Sequence, residues 1–90
     1  MKQLVKVQKI KNKGLLALMG QRVTLFGANY IYTGTLVGVN DEFVKLEKGG
    51  IVFETGAFTD AKWKDYQPFP GDGVGYVMKS AIESFLILKQ

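Results

Sequence analysis

The chain of 90 residues contains neither His nor Cys. It therefore lacks the side chain that titrates near neutral pH and the thiol that most readily becomes a nucleophile. Carboxylates remain, but no two are spaced as a convincing acid–base pair, so an enzyme is not expected. The available chemistry is recognition. Asp41-Glu42-Phe43 sets an aromatic ring on an acidic turn. An exposed ring there could stack on a nucleic-acid base, an interaction worth ~1–3 kcal/mol per base and tolerant of sequence. A buried ring would cap the core instead, which is the commoner state of Phe. The residue types alone favour the core reading.

A second aromatic group lies in "GAFTDAKWKDYQPFPGDG", where Phe58, Trp63, Tyr66 and Phe69 are interleaved with Lys62 and Lys64. These rings could also stack bases. The favoured reading is a lid that packs its own rings onto the body or a neighbour. Gly71 to Gly75 reads "GDGVG". It lacks the Lys-Ser/Thr pair of a phosphate loop, and no helix follows. Asp60, Asp65 and Asp72 match no calcium-loop spacing. No metal or cofactor is expected.

Charge is unevenly spread. Residues 1–13 hold five lysines (Lys2, Lys6, Lys9, Lys11, Lys13) and no acid. The remaining residues hold seven basic and eight acidic side chains, a net of −1 against +4 for the whole chain. A basic arm on a near-neutral body suits a polyanion partner, or serves as a solubilising tail. Zero Cys agrees with a reducing compartment. The N-terminus loosely resembles a signal peptide, but its apolar run, Leu15 to Met19, is short and no cleavage site follows. A soluble, cytoplasmic protein with no membrane segment is expected.

The length predicts a single domain over 1–90, comprising a basic arm (1–13), a body and a long loop (56–73). A chain of this size buries about 60–65% of its unfolded surface. Leu15, Leu18 and Met19 share a face at helical spacing, predicting a short helix over Lys13 to Met19 with Asn12 as cap and Gly20 as stop. Segments Arg22 to Phe26, Tyr30 to Val39, Phe43 to Glu47, Ile51 to Thr55, Val74 to Lys79 and Ile82 to Leu88 read as strands. "KGG" (Lys48 to Gly50) reads as a turn between the third and fourth. Gly34 and Gly38 predict a bend or close backbone approach. The expected fold is mainly β, a strongly bent five- to six-stranded antiparallel barrel with one N-terminal helix. "FLIL" at the end is apolar on both faces, and an edge like that needs a partner, most simply a second copy.

"LLALMGQRVTLFGANYIYTGTLVGVNDEFVKLEK" resembles the first half of the Sm/LSm family, including its bacterial Hfq branch. The matching features are Val23-Thr24-Leu25, Gly34 and Asp41-Glu42-Phe43. Met78-Lys79-Ser80-Ala81-Ile82 resembles the turn between the family's last two strands. The intervening insertion is longer than in Hfq. The resemblance implies a homo-oligomeric ring of five to seven subunits that binds single-stranded RNA, or DNA, as a chaperone or scaffold in RNA processing. It gives Asp41 the task of shaping the turn through backbone amides. It gives Phe43 the stacking position and Lys79 the basic position. Glu42, Lys45 and Ser80 stand where family members often carry Gln, Asn and His. The carboxylate of Glu42 would repel phosphate. The alternative is a structural ring that binds protein through the 56–73 loop, without nucleic acid.

If the arm contacts phosphate, deleting residues 1–13 flattens the salt dependence of oligonucleotide binding by about 0.7 in log–log slope per lost contact. Salt titrations of poly-U and poly-A against full-length and truncated protein measure this. An unchanged slope makes the arm a solvated tail.

Overall fold

The computed structural model describes residues 13–89. The arm as far as Asn12, with its alternating Leu4 to Ile10 segment and the cap expected at Asn12, lies outside the described residues. The fold is mainly β: a six-stranded antiparallel sheet preceded by one short helix. Among the described residues no helix is long and apolar enough to cross a membrane.

Helix α1 (Lys13–Leu16) is a single turn, shorter than the sequence suggests. The chain then tightens, with Leu18 N–H donating to the Leu15 carbonyl (2.9 Å) and Met19 N–H to that of Leu16 (3.2 Å). Such three-residue bonds shift the register of the apolar face. Leu15 is buried and Leu18 packs beside it, but Met19 is 41% exposed rather than turned inward. Gly20 ends the segment with φ 84°, a conformation glycine adopts without strain.

The strands are β1 (Arg22–Gly27), β2 (Ile31–Val39), β3 (Phe43–Glu54), β4 (Asp65–Pro68), β5 (Gly75–Met78) and β6 (Ile82–Leu86). A 3-10 turn, Lys79–Ala81, joins the last two. The order along the sheet is β4-β3-β2-β1-β6, with β5 also on β3. None of these ladders joins β6 to β4 or β5, so the sheet is open.

The main departure from the sequence reading is β3. Lys48-Gly49-Gly50 does not turn the chain; one strand of 12 residues runs through it. The backbone bends there instead, with Lys48 at φ 50°. The bend divides one edge of β3 between two partners. Phe43 to Leu46 pair with β5, and Gly50 to Glu54 pair with β4. Strand β4 lies inside the stretch expected to be loop. It is short and ends on Pro68, which hid it in the sequence. On the other edge, β2 follows the bend through register shifts at Thr33/Thr35 and Leu36/Gly38. A Cβ on Gly34 would lie 3.0 Å from Gly49 Cα and from Leu46 Cβ, so the two strands approach as closely as they do only without that atom.

The core joins Leu15, Val23, Leu25, Leu36, Val44, Leu46 and Val77, with Tyr32, Val39 and Ile82 against it. Thr24 and its cross-strand partner Thr33 are fully buried as well. By alternation they lie on the face opposite Val23 and Leu25. Thr33 Oγ1 donates to the Val23 carbonyl at 3.1 Å. Thr24 Oγ1 has no hydrogen-bond partner among the described residues.

Two substitutions of the same chemistry therefore act oppositely. Thr24→Val removes an unsatisfied hydroxyl and raises stability by about 1 kcal/mol, whereas Thr33→Val breaks a bond and lowers it by about 0.5–1.5 kcal/mol. Urea denaturation at fixed protein concentration reads both. Equal shifts of the same sign contradict this account.

Candidate nucleic-acid interface

The β2–β3 turn is built by Asn40. Its side-chain oxygen accepts from Glu42 N–H (2.7 Å) and Phe43 N–H (2.8 Å), while its own N–H donates to the Phe43 carbonyl (3.0 Å). Both amides are donors, so the side-chain atom facing them must be the oxygen. This is an Asx-type turn. The amide bonds expected of Asp41 are thus made by the residue before it. Asp41 and Glu42 are exposed.

Strand β5 brings the second half of the site alongside. Phe43 is directly opposite Met78, and Lys45 opposite Tyr76. The Lys79 N–H donates to the Glu42 carbonyl at 2.8 Å. The Asp41-Glu42-Phe43 turn and the Lys79–Ser80 turn, far apart in sequence, are therefore neighbours. Ser80 is exposed, and Lys79 and Lys45 are half-buried.

Phe43 is neither a core side chain nor a freely presented ring. It is half-buried, and its ring meets that of Tyr76 edge-on, centroids 5.3 Å apart at 88°. Tyr76 is the more open of the two, at 59% exposure, with Lys45 Nζ 5.9 Å from its centroid. Edge-to-face pairs of this kind fix ring orientation. The platform is therefore a pair of rings. The sequence reading missed Tyr76 because its place beside Phe43 and Lys45 depends on the β3–β5 register, for which no local pattern exists. The formal charges of Asp41, Glu42, Lys45 and Lys79 sum to zero. The site can stack and hydrogen-bond, but it has little net attraction for phosphate.

The long insertion lies against the sheet and the end of the chain. Phe58 packs on Phe26, centroids 6.4 Å apart, and Trp63 faces Lys89. Lys89 is 4% exposed. Its ammonium donates to the carbonyls of Thr55 (2.8 Å), Ala57 (2.8 Å) and Lys62 (2.9 Å) and lies 5.0 Å from the Trp63 centroid. All three donors are used, which is what burial of an ammonium requires. The three loop acids are put to separate uses. Asp60 Oδ2 accepts from Ala57 N–H, Asp65 opens β4, and the Asp72 carbonyl accepts from Lys48 N–H. Among the described residues no cluster of acids could hold a metal.

Comparison with family models, with curated proteins and with solved structures finds no match to this chain.

Asn40→Ala speeds amide exchange at Glu42 and Phe43 and costs about 1 kcal/mol, since two exposed bonds revert to water. Asp41→Ala leaves both amides as they are. Site-resolved hydrogen exchange distinguishes the two; faster exchange in the Asp41 variant alone would return the turn-shaping role to Asp41.

Proposed function

We propose that this chain is a subunit of an Sm-like ring that binds single-stranded RNA, or DNA, through the Phe43 and Lys79 turns. The observation that carries the reading is the Lys79 N–H to Glu42 carbonyl bond, which joins an aromatic turn to a basic one. The topology adds support: β6 returns to β1, β5 flanks β3, and a 3-10 turn links them. The finer architecture proposed is a bent barrel, with the register shifts in β2–β3 as its corners.

Oligomerisation is supported by the edges. Strands β5 and β6 each pair on one side only among the described residues. Exposed Tyr76 and Met78 lie on β5, and exposed Phe85 and Ile87 on or just after β6. Pairing β5 of one subunit with β6 of the next would cover both edges and close a cycle. Stacking on Phe43 and Tyr76 would supply sequence-tolerant affinity, and the basic arm the attraction to phosphate.

Light scattering coupled to size exclusion is expected to give one species of about five to seven subunits. In fluorescence anisotropy with a labelled uridine-rich strand, Phe43→Ala and Tyr76→Ala each lose ~1–3 kcal/mol of binding. A stable monomer at micromolar concentration overturns the ring. An intact ring that ignores the strand favours a protein scaffold acting through the insertion.

A further inference from the structure

A second site lies on the insertion. A cavity of about 260 Å³ is lined by Arg22, Ala61, Lys62, Trp63, Tyr66 and Lys89. Three of these six carry positive charge, two are large aromatics, and none is an acid. Among the described residues, Glu54 pairs with Lys64, and no carboxylate pairs with Arg22, Lys62 or Lys89. Like charges gathered around one cavity repel, and an anion between them removes that cost.

The three cations are not equivalent. Lys89 has spent its three donors on carbonyls and contributes charge alone. Arg22 is half-buried, and one terminal nitrogen donates to the Lys48 carbonyl at 2.7 Å. That bond fixes the guanidinium and leaves most of its five donors for a ligand. Lys62 is exposed at the mouth. A fixed guanidinium fork beside a mobile ammonium suits phosphate. Trp63 and Tyr66 supply flat apolar walls, which suit a planar body attached to that phosphate.

We infer that this cavity binds a nucleoside monophosphate, either free or as the phosphorylated end of a strand. Its volume lies just under the ~300–1,000 Å³ of pockets for drug-sized ligands, so it holds one nucleotide and not a run of them. The site shares no residue with the Phe43 and Lys79 turns, so it stands or falls separately from the function proposed above.

Trp63 is the only tryptophan in the chain, so its fluorescence reports on this cavity alone. The full-length protein is titrated with adenosine and uridine 5′-monophosphates, the matching nucleosides and inorganic phosphate. The expected result is a saturable change with the monophosphates, at least about tenfold weaker with nucleosides or phosphate alone. Arg22→Gln and Lys62→Gln each weaken it by about tenfold or more, the effect of losing a charged hydrogen bond. Lys62 is exposed, so its variant remains informative if the Arg22 variant does not fold. The inference is overturned if monophosphates at about 10 mM, well beyond weak specific binding, cause no saturable change. It is also overturned if nucleoside or phosphate binds as well as nucleotide, or if the folded variants bind like the parent. Oligonucleotides with and without a 5′-phosphate identify the source. Once the monophosphates respond, tighter binding of the phosphorylated strand than of the free nucleotide assigns a strand end, and binding of the free nucleotide at least as tight as of the strand assigns a soluble ligand.

Discussion

The bend in β3 is the constraint on which the rest of this molecule depends. At Lys48-Gly49-Gly50 the strand changes direction without ending, so one edge can serve two partners in turn. The bend is set by close backbone approach. Gly34 and Gly49 meet where a Cβ would collide, and Lys48 holds a positive φ. The loop after β4 fastens it, through Lys48 N–H to the Asp72 carbonyl and Gly49 N–H to that of Gly73.

Both candidate sites descend from this bend. Before it, pairing with β5 sets Tyr76 beside Phe43 and Lys45, and carries the chain on to Lys79. After it, pairing with β4 anchors the insertion, and the Lys48 carbonyl holds the Arg22 guanidinium. Their electrostatics differ. Around Phe43, acids and lysines cancel, so the ring pair of half-buried Phe43 and exposed Tyr76 is the main asset. On the insertion, charge of one sign collects around two aromatics.

The insertion is held by a buried ammonium with no carboxylate partner among the described residues. Carbonyl dipoles and a π face replace a counter-ion. Such a cage stabilises the cation without neutralising it, so Lys89 still adds to the field of the cavity it helps to line. One side chain thus orders the loop and shapes what the loop can bind.

The sequence alone determined the strand-rich class, the inward positions of β1 and β3, and the special standing of Gly34. Alternation places Val23, Leu25, Val44 and Leu46 on one face whatever the partners are. A glycine inside a β-branched run weakens the strand, so its presence points to a bend or a close backbone approach. The absence of His and Cys likewise narrowed the chemistry before any fold was known. The sequence misled at "KGG", read as a turn, because glycines permit a turn and a bend equally. Only the tertiary pairing of β3 with both β4 and β5 decided that. The same holds for Asn40 against Asp41, since either side chain can accept amides and one residue's difference in backbone path chose between them. Tyr76 beside Phe43, and Lys89 among the carbonyls of the insertion, are contacts between residues far apart in the chain. Local pattern carries no record of such distances; the β3–β5 register creates the first, and the packing of the insertion against residue 89 creates the second.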